Sequence, residues 1–173
     1  MEQLTYRQLS ISCDADISQL QAVLEAAPNY YKIIQGKGPS TDEARSELQA
    51  LPEGHPVAAK FYYLIQGHQR AVGCIDLLRG YPNENVAFIG LLLFVDSWQG
   101  RGLGRQALKF AIDLANDWGC GALRIAVVQT NERAISFWSR EGFIELYRKE
   151  SNQYADPVVV MERALDSYVE VER

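Results

Sequence analysis

Cysteine is scarce in this sequence: Cys13, Cys74 and Cys120 are the only three among 173 residues, and they stand far apart. Their odd number excludes a fully paired disulfide framework, and no two of them have the spacing of a metal-binding pair. The simplest interpretation is that the thiols stay reduced. We therefore expect a cytoplasmic protein.

Basic residues are too few for a general nucleic-acid binder. Lys and Arg total 17 against 22 Asp and Glu, which gives a formal net charge of −5, whereas binding nucleic acid requires a positive surface. No apolar run approaches the roughly 20 residues that span a bilayer, and Met1–Gln3 lacks the features of a signal peptide. No repeat or linker divides the chain. We expect one domain over residues 1–173, with neither a nucleic-acid nor a membrane partner.

Three glycines, by contrast, are grouped in one short turn, Gln99–Arg105, which reads QGRGLGR. The turn follows an apolar run that is typical of a buried strand and precedes a segment of clear helical periodicity. Glycines let the backbone approach a ligand closely, and the start of a helix offers unpaired N–H groups and the positive end of the dipole. Because Arg101 and Arg105 flank the turn, the pattern predicts a site for a phosphate-bearing ligand.

Two common phosphate loops do not fit this turn. A P-loop needs Gly-Lys followed by Ser or Thr at the helix start, but Gly104 is followed by Arg105 and Gln106. A dinucleotide fingerprint needs G-x-G-x-x-G near the first strand and an acidic residue about 20 positions later, and neither condition is met. The remaining alternative, a glycine-rich turn without a ligand, is less consistent with three glycines and two arginines before a strong helix.

The first half of the chain combines helices with antiparallel strands. We expect a strand over Leu4–Ile11, a helix from Asp14 to about Ala26, a loop-like stretch over residues 28–39, and a helix from the capping box Ser40–Glu43 to just before Pro52. Three strands then follow one another through short turns: Val57–Gln66, Ala71–Leu78 and Val86–Val95. Short connections make them antiparallel neighbours.

The second half contains one parallel crossover and a closing hairpin. Apolar residues recur with helical period from Leu103 to Trp118, and Ala122–Val128 is the next buried strand. Strand, helix and strand in succession imply a parallel pair. A short helix ends at Gly142, and we expect a final hairpin of Phe143–Lys149 with Val158–Met161. The predicted fold class is mixed α/β: a mostly antiparallel sheet with one parallel splayed pair, flanked by helices.

Two blocks of this sequence resemble the GNAT N-acetyltransferase superfamily. Gln99-x-x-Gly102-x-Gly104 resembles its acyl-CoA pyrophosphate loop. Downstream, Asn131-x-x-Ala134-x-x-Phe137-Trp138-x-x-x-Gly142-Phe143 resembles its pattern N-x-x-A-x-x-(L/F)-Y-x-x-x-G-F. The two blocks stand in the family's order and at its spacing, and the resemblance is strong from about Val86 to Phe143.

The resemblance implies a cleft for acetyl-CoA and no metal ion. The pyrophosphate would lie on the backbone of Gln99, Gly100, Arg101, Gly102, Leu103, Gly104 and Arg105. The pantetheine arm would pair with the backbone near Leu92 and Phe94, with the Asn131 amide on its other side. A backbone N–H near Leu92 or Leu93 would stabilise the oxyanion as an amine attacks the thioester.

This chain departs from the family pattern at Trp138 and Gly90, where many members carry a Tyr and a Glu. The Tyr is the usual proton donor to the leaving thiolate, and an indole N–H cannot act as an acid at neutral pH. Trp138 can contact the sulfur, or it can be a core residue. Gly90 leaves the family's base unassigned, and the candidate replacements are Asp76, which interrupts an apolar strand, and Glu84, which lies in a loop. Both also have a structural explanation: Asp76 can be a buried, paired Asp without a catalytic role, and Glu84 can be a solvated acid of the loop.

The acceptor side is expected between the first two helices and at the loop that contains Tyr81. Tyr30, Tyr31 and Tyr81 can form an aromatic wall for a cationic amine, although packing of half-buried tyrosines explains them equally well. The predicted activity is acetyl transfer from acetyl-CoA to a primary amine in a ternary complex. The alternatives are a regulatory module that binds acyl-CoA without efficient transfer, and an acyltransferase for another acyl-CoA. The closing hairpin can also pair between subunits of a homodimer.

Overall fold

The computed structural model describes residues 2–166, which contain one seven-stranded sheet and five α-helices. The strands are β1 (Thr5–Gln8), β2 (Lys60–Gly67), β3 (Arg70–Arg79), β4 (Val86–Phe94), β5 (Ala122–Val128), β6 (Ile144–Lys149) and β7 (Val158–Ala164). The helices are α1 (Asp14–Glu25), α2 (Pro28–Gln35), α3 (Glu43–Gln49), α4 (Leu103–Asp117) and α5 (Glu132–Arg140). Short 3₁₀ turns lie at Val57–Ala59 and Asp96–Trp98.

The strand order across the sheet is β1-β2-β3-β4-β5-β7-β6. Every neighbouring pair is antiparallel except β4 and β5, which are parallel and joined through α4. This arrangement confirms the predicted mixed fold class, the three consecutive antiparallel strands and the closing hairpin.

Helices cover both faces of the sheet. On one face α4 packs through residues that recur at helical spacing, including Leu103, Ala107, Ala111 and Ala115, and Trp138 of α5 joins the same core. On the other face the buried side chains of α1, α2 and α3 pack against the opposite side of β2, β3 and β4. None of the helices between residues 2 and 166 combines the length and the apolar character that crossing a membrane requires.

One expectation was wrong: part of the stretch predicted as loop-like is the helix α2. Pro28 opens this helix, a position where its missing N–H is not needed. Gly36, with φ of 73°, ends it in the left-handed conformation. The helix forms because Tyr31 and Ile34 are buried against the sheet, a tertiary gain that the short segment does not display on its own.

Smaller differences concern element ends. The first strand is shorter than Leu4–Ile11, and Val57–Ala59 is a 3₁₀ turn in front of β2 rather than the start of the strand. The last strand continues three residues past Met161, to Ala164. Element ends depend on local hydrogen bonds that hydrophobic patterns do not define.

Candidate active site

The parallel strands β4 and β5 separate halfway along their length. They are paired from Val86 with Ala122 to Ile89 with Ile125. Past these residues β4 continues to Phe94 and β5 to Val128, and no further pairing joins them within residues 2–166. Because successive backbone groups of a strand point to alternate edges, β4 presents unpaired N–H and C=O groups toward the gap.

The glycine-rich turn closes one end of this gap. Gly100 and Gly102 both have φ of 74°, a left-handed conformation that favours glycine. Gly102 is the N-cap of α4, and no side chain of residues 2–166 caps the helix, so its first N–H groups have no capping partner there. The Gln99 side-chain amide donates to the Phe94 carbonyl at 2.9 Å and fixes the turn against the end of β4.

The N-terminal half of α5 lies on the other side of the gap. The Asn131 side chain accepts a hydrogen bond from the Ala134 N–H at 3.3 Å and caps the helix. Trp138 is 3% exposed and makes edge-to-face contacts with Phe137 and Phe143. Trp138 is therefore both a core residue and part of the wall of the cleft.

Together these elements enclose a cleft of about 480 Å³. The predicted residues that line it are Tyr30, Leu92, Leu93, Phe94, Gln99, Gly100, Gly102, Leu103, Gly104, Asn131 and Trp138. The helix α2, which the sequence did not reveal, adds Asn29 and Ile33 beside Tyr30. The cleft thus brings the two sequence blocks and the unpaired part of β4 to one place.

The two arginines of the turn do not line the cleft. Arg101 donates to the Ser97 carbonyl at 3.0 Å and lies 4.7 Å above the Trp98 ring. Arg105 forms an ion pair with Glu141 at 3.1 Å. The cations that do line it are Arg133 and Arg140 of α5, and neither has an ion-pair partner in the part of the chain that the structure describes.

Sequence reasoning missed Arg133 and Arg140, although a signal existed. The two residues are seven positions apart, which places them on one face of a helix two turns apart. That face meets the glycine turn because Arg133 lies near Gly100: a Cβ built on Gly100 would be 3.9 Å from Arg133 Nη2.

The sequence matches the family described as Acetyltransferase (GNAT) family over residues 21–143. The chain belongs to this GNAT family. No curated protein matches the chain.

Solved structures share this GNAT fold. An acetyltransferase from Thermus thermophilus is 29% identical with a TM-score of 0.75, and the match covers 95% of this chain and 100% of that one. The spermidine N-acetyltransferase from Vibrio cholerae, solved with CoA and spermine, is 17% identical with a TM-score of 0.69, over 96% and 98% of the two chains. The ribosomal-protein-S18-alanine N-acetyltransferase from Escherichia coli is 14% identical with a TM-score of 0.68, over 99% of each.

In this GNAT protein Gly90 lies directly against the candidate carboxylate Asp76. Gly90 sits at a bulge, since Asp76 pairs with Leu91 while Leu77 pairs with Ile89. A Cβ at residue 90 would be 2.4 Å from Asp76 Oδ2. The Asp76 carboxylate therefore occupies the space where a side chain at position 90 would begin.

Asp76 is held by a buried ion pair. Its Oδ2 accepts from Lys60 Nζ at 2.8 Å, and the two side chains are 8% and 6% exposed. Burial raises the pKa of Asp76, and the Lys60 ammonium opposes that shift. Its other oxygen, Oδ1, is buried and has no hydrogen-bond partner within residues 2–166.

Beside this pair lies Glu47 of α3, a carboxylate that the sequence did not single out. Its Oε2 accepts from the Tyr62 hydroxyl at 3.4 Å, and Tyr62 is opposite Asp76 in the ladder between β2 and β3. Burial, followed by the negative charge of Asp76, raises the pKa of Glu47 to about 7. No local motif marks Glu47, because its neighbours come from separate elements.

Glu84 and Tyr81 lie at the other end of α4, about 22 Å away by the length of the helix. Glu84 lines a second cavity with Trp118, next to the C-terminal end of α4. Tyr81 packs edge-to-face against His55 and Phe88. The turn between β3 and β4 faces this end of the sheet, so the fold does not bring Tyr81 or Glu84 to the cleft.

Tyr30 and Tyr31 remain together at the cleft end. Their rings are 5.1 Å apart and edge-to-face, but Tyr31 is 1% exposed and belongs to the core. Tyr30 is half-buried, lines the cleft, and has the Tyr154 hydroxyl as a neighbour. Of the three predicted tyrosines, only Tyr30 faces the space between β4 and α5.

Proposed function

We propose that this protein is an acetyl-CoA-dependent N-acetyltransferase, a single domain that transfers an acetyl group to a primary amine by direct attack in a ternary complex. The observation that carries the proposal is the convergence on one cleft of the glycine turn, the unpaired half of β4 and the start of α5. An extended, phosphate-bearing thioester has complementary chemistry to this cleft. The relative from Vibrio cholerae, which has the same fold, was solved with CoA.

Each part of acetyl-CoA has a counterpart in the cleft. The N–H groups of the turn and the start of α4 would hold the diphosphate, and Arg133 and Arg140 would add positive charge for the remaining phosphate. The unpaired backbone of β4 would pair with the amides of the pantetheine arm, and a free N–H near Leu92 or Leu93 would face the developing oxyanion. The protein mainly positions two reactants, which lowers the barrier by several kcal/mol.

Ligand binding and thiol release test this proposal. Acetyl-CoA should raise the melting temperature, and CoA should do so nearly as well, because both carry the diphosphate and the arm. Release of CoA thiol is then measured with spermidine, lysine, an aminoglycoside and a peptide with an amino-terminal alanine. No thermal shift at millimolar ligand would contradict the proposed cleft.

A second candidate function is an acyl-CoA-binding regulatory module. It is favoured by Gly90 and Trp138, which stand where many members of the GNAT family carry a Glu and a Tyr. Neither residue can act as the base or the acid of the transfer. Binding of CoA without thiol release from any amine of the panel would support it. Turnover with one amine would exclude it.

A further inference from the structure

A group of buried charges lies near Tyr30, which lines the cleft on its acceptor side. Asp76, Lys60 and Glu47 come together from β3, β2 and α3, with the Tyr62 hydroxyl between Glu47 and the strands. Asp76 is more than nine-tenths buried, and its Oδ1 has no partner among the described residues. A buried carboxylate oxygen without a donor is costly, so such an atom indicates a ligand or water that is meant to contact it.

The charges of this group do not balance. Two carboxylates, Asp76 and Glu47, stand against the single ammonium of Lys60. Lys60 is paired with Asp76 at 2.8 Å, so among residues 2–166 only the Tyr62 hydroxyl donates to Glu47. An excess of negative charge in a half-buried site favours a cationic ligand.

Tyr30 connects this group with the cleft. Its side chain lines the cleft with Leu93, and the charge of Glu47 acts on Tyr30, on Tyr31 and on Tyr154 of the loop between β6 and β7. Cys74, which pairs with Leu93 of β4, contacts the Tyr62 hydroxyl at 3.8 Å. The carboxylates therefore lie behind the part of the cleft wall that contains Tyr30. An amine would approach the thioester on this side of the cleft.

We propose that Glu47 is the base that takes the proton of a cationic acceptor amine, while the Asp76–Lys60 pair fixes the neighbouring negative charge and the free Asp76 oxygen helps to hold the ammonium. The assignment rests on the proposed transferase function and deepens it. Gly90 has no side chain to serve as base, and the Asp76 carboxylate that fills its place is already paired. Glu47 is a nearby carboxylate without a cationic partner in residues 2–166, and its carboxylate, unlike that of Glu43, faces the Tyr62 hydroxyl.

The proposed step balances. The ammonium gives one proton to Glu47, which becomes a neutral carboxylic acid, and the freed lone pair of the amine forms the nitrogen–carbon bond. The carbon–sulfur bond breaks with its electron pair on sulfur. The nitrogen loses its second proton to the departing sulfur, which leaves as a thiol, and Glu47 returns its proton to solvent.

The surroundings of Glu47 suit this role. With a pKa of about 7, about half of the Glu47 carboxylate is ionised at neutral pH, and the ionised form is basic enough to accept a proton. The groups that face it are Asp76 and Glu43, which raise the pKa, and Lys60 and Tyr62, which lower it. The phenols of Tyr30, Tyr31 and Tyr154 are neutral at this pH, and burial raises their pKa values further.

The test is the pH profile of kcat/KM for the amine of the panel that wild type acetylates fastest. A free alkyl ammonium has a pKa of about 10.4. With Glu47 as base, kcat/KM of the wild type should rise tenfold per pH unit up to about pH 7 and then level off. Glu47→Gln should lower kcat/KM at pH 7.5 by about 100-fold or more. Its kcat/KM should keep rising up to the pKa of the amine itself, about 10.4 for an alkyl amine and about 8 for an amino terminus, because only free amine then reacts.

Glu43→Gln is the matched control. It removes the same charge from the same helix, but its carboxylate accepts from the Ser40 N–H at 3.0 Å rather than facing Tyr62. This variant should keep kcat/KM within a few fold of wild type. The rising part of its pH profile should move to slightly lower pH. Titration of ¹³C-labelled glutamate carboxylates by NMR should show one resonance with a pKa near 7 that Glu47→Gln removes.

The possible results distinguish a wrong assignment of Glu47 from a wrong assignment of the transferase function. If wild type is active and Glu47→Gln keeps the same rate and the same levelling near pH 7, the assignment of Glu47 is wrong and the transferase function stands. If no glutamate titrates above about pH 5.5, the assignment is also wrong. If wild type acetylates no amine although it binds CoA, the proposed function fails, and the role of Glu47 fails with it.

Discussion

At the scale of single residues, the centre of the site depends on a missing side chain. Gly90 leaves room for the Asp76 carboxylate, and Asp76 in turn neutralises Lys60 in the interior. Removing either partner of such a buried ion pair leaves an uncompensated charge, which is strongly destabilising. The glycine that removes the expected base is therefore also the residue that permits the buried pair.

Gly90→Ala tests this dependence. The new methyl group would lie 2.4 Å from Asp76 Oδ2 and 3.1 Å from its Cγ, so the carboxylate must move away from Lys60. We expect a loss of about 1–3 kcal/mol in the free energy of unfolding, measured by urea denaturation. Gly38→Ala is the control, since nothing lies within 4 Å of its new Cβ. Equal stability of the two variants would contradict the close fit.

The raised pKa of Glu47 predicts how stability depends on pH. The folded state holds this proton more tightly than the unfolded state, so the stabilisation is complete below about pH 4.5 and is lost as pH rises through about 7. The loss is at most about 3 kcal/mol, since one unit of pKa is worth about 1.4 kcal/mol. Glu47→Gln lacks this titration and should gain stability relative to wild type between pH 4.5 and 8. A difference that does not change with pH, measured by urea denaturation at each pH, would refute it.

Sequence reasoning could identify only part of this site. Asp76 was detectable because a charged residue interrupts an apolar strand. Glu47 was not, because it stands on a short helix with a capping box, where acidic residues are common. Its pKa depends on Asp76, Lys60 and Tyr62, which are far from it in sequence. Chemistry that arises from contacts between distant segments is not visible in local patterns.

At the scale of elements, the turn and α4 form a unit that the sequence did predict. Glycine spacing and helical periodicity are local properties, and the structure has the predicted turn and a helix from Leu103 to Asp117. The helix α2 was missed because eight residues that begin with Pro28 do not display a long period. Its stability comes from burial of Tyr31 and Ile34. Since α2 contributes Tyr30, the acceptor side was the less predictable half.

Gly102→Ala and Gly119→Ala form a matched pair on the two ends of α4. Both glycines have left-handed φ, 74° and 75°, and neither has an atom within 4 Å of a new Cβ. Each alanine should cost about 1 kcal/mol of stability through backbone strain alone. Only Gly102→Ala should also weaken CoA binding, by calorimetry, because it shifts the N–H groups at the start of the helix. Equal CoA affinity of the two variants would place the diphosphate elsewhere.

At the scale of the whole molecule, the sheet consists of two parts that are joined by a short stretch of pairing between β4 and β5, here called the seam. Strands β1 to β4 form one antiparallel part and β5 to β7 the other, and only four residue pairs, from Val86–Ala122 to Ile89–Ile125, join them within residues 2–166. Helices on both faces hold the two parts together. A ligand that pairs with the free edge of β4 would extend the seam and stabilise the molecule as a whole.

Hydrogen exchange in the presence of CoA tests this view of the sheet. Amides over residues 91–94 and 99–105 should exchange more slowly with CoA, because backbone groups there would gain partners. Amides over 86–89 should change little, since that segment is already paired with β5 and its residues 87–89 are also paired with β3. Acetyl-CoA should give the same pattern, because the acetyl group adds no contact to the turn. Protection at 86–89 equal to that at 91–94 would mean that CoA tightens the whole sheet rather than filling the gap between β4 and β5.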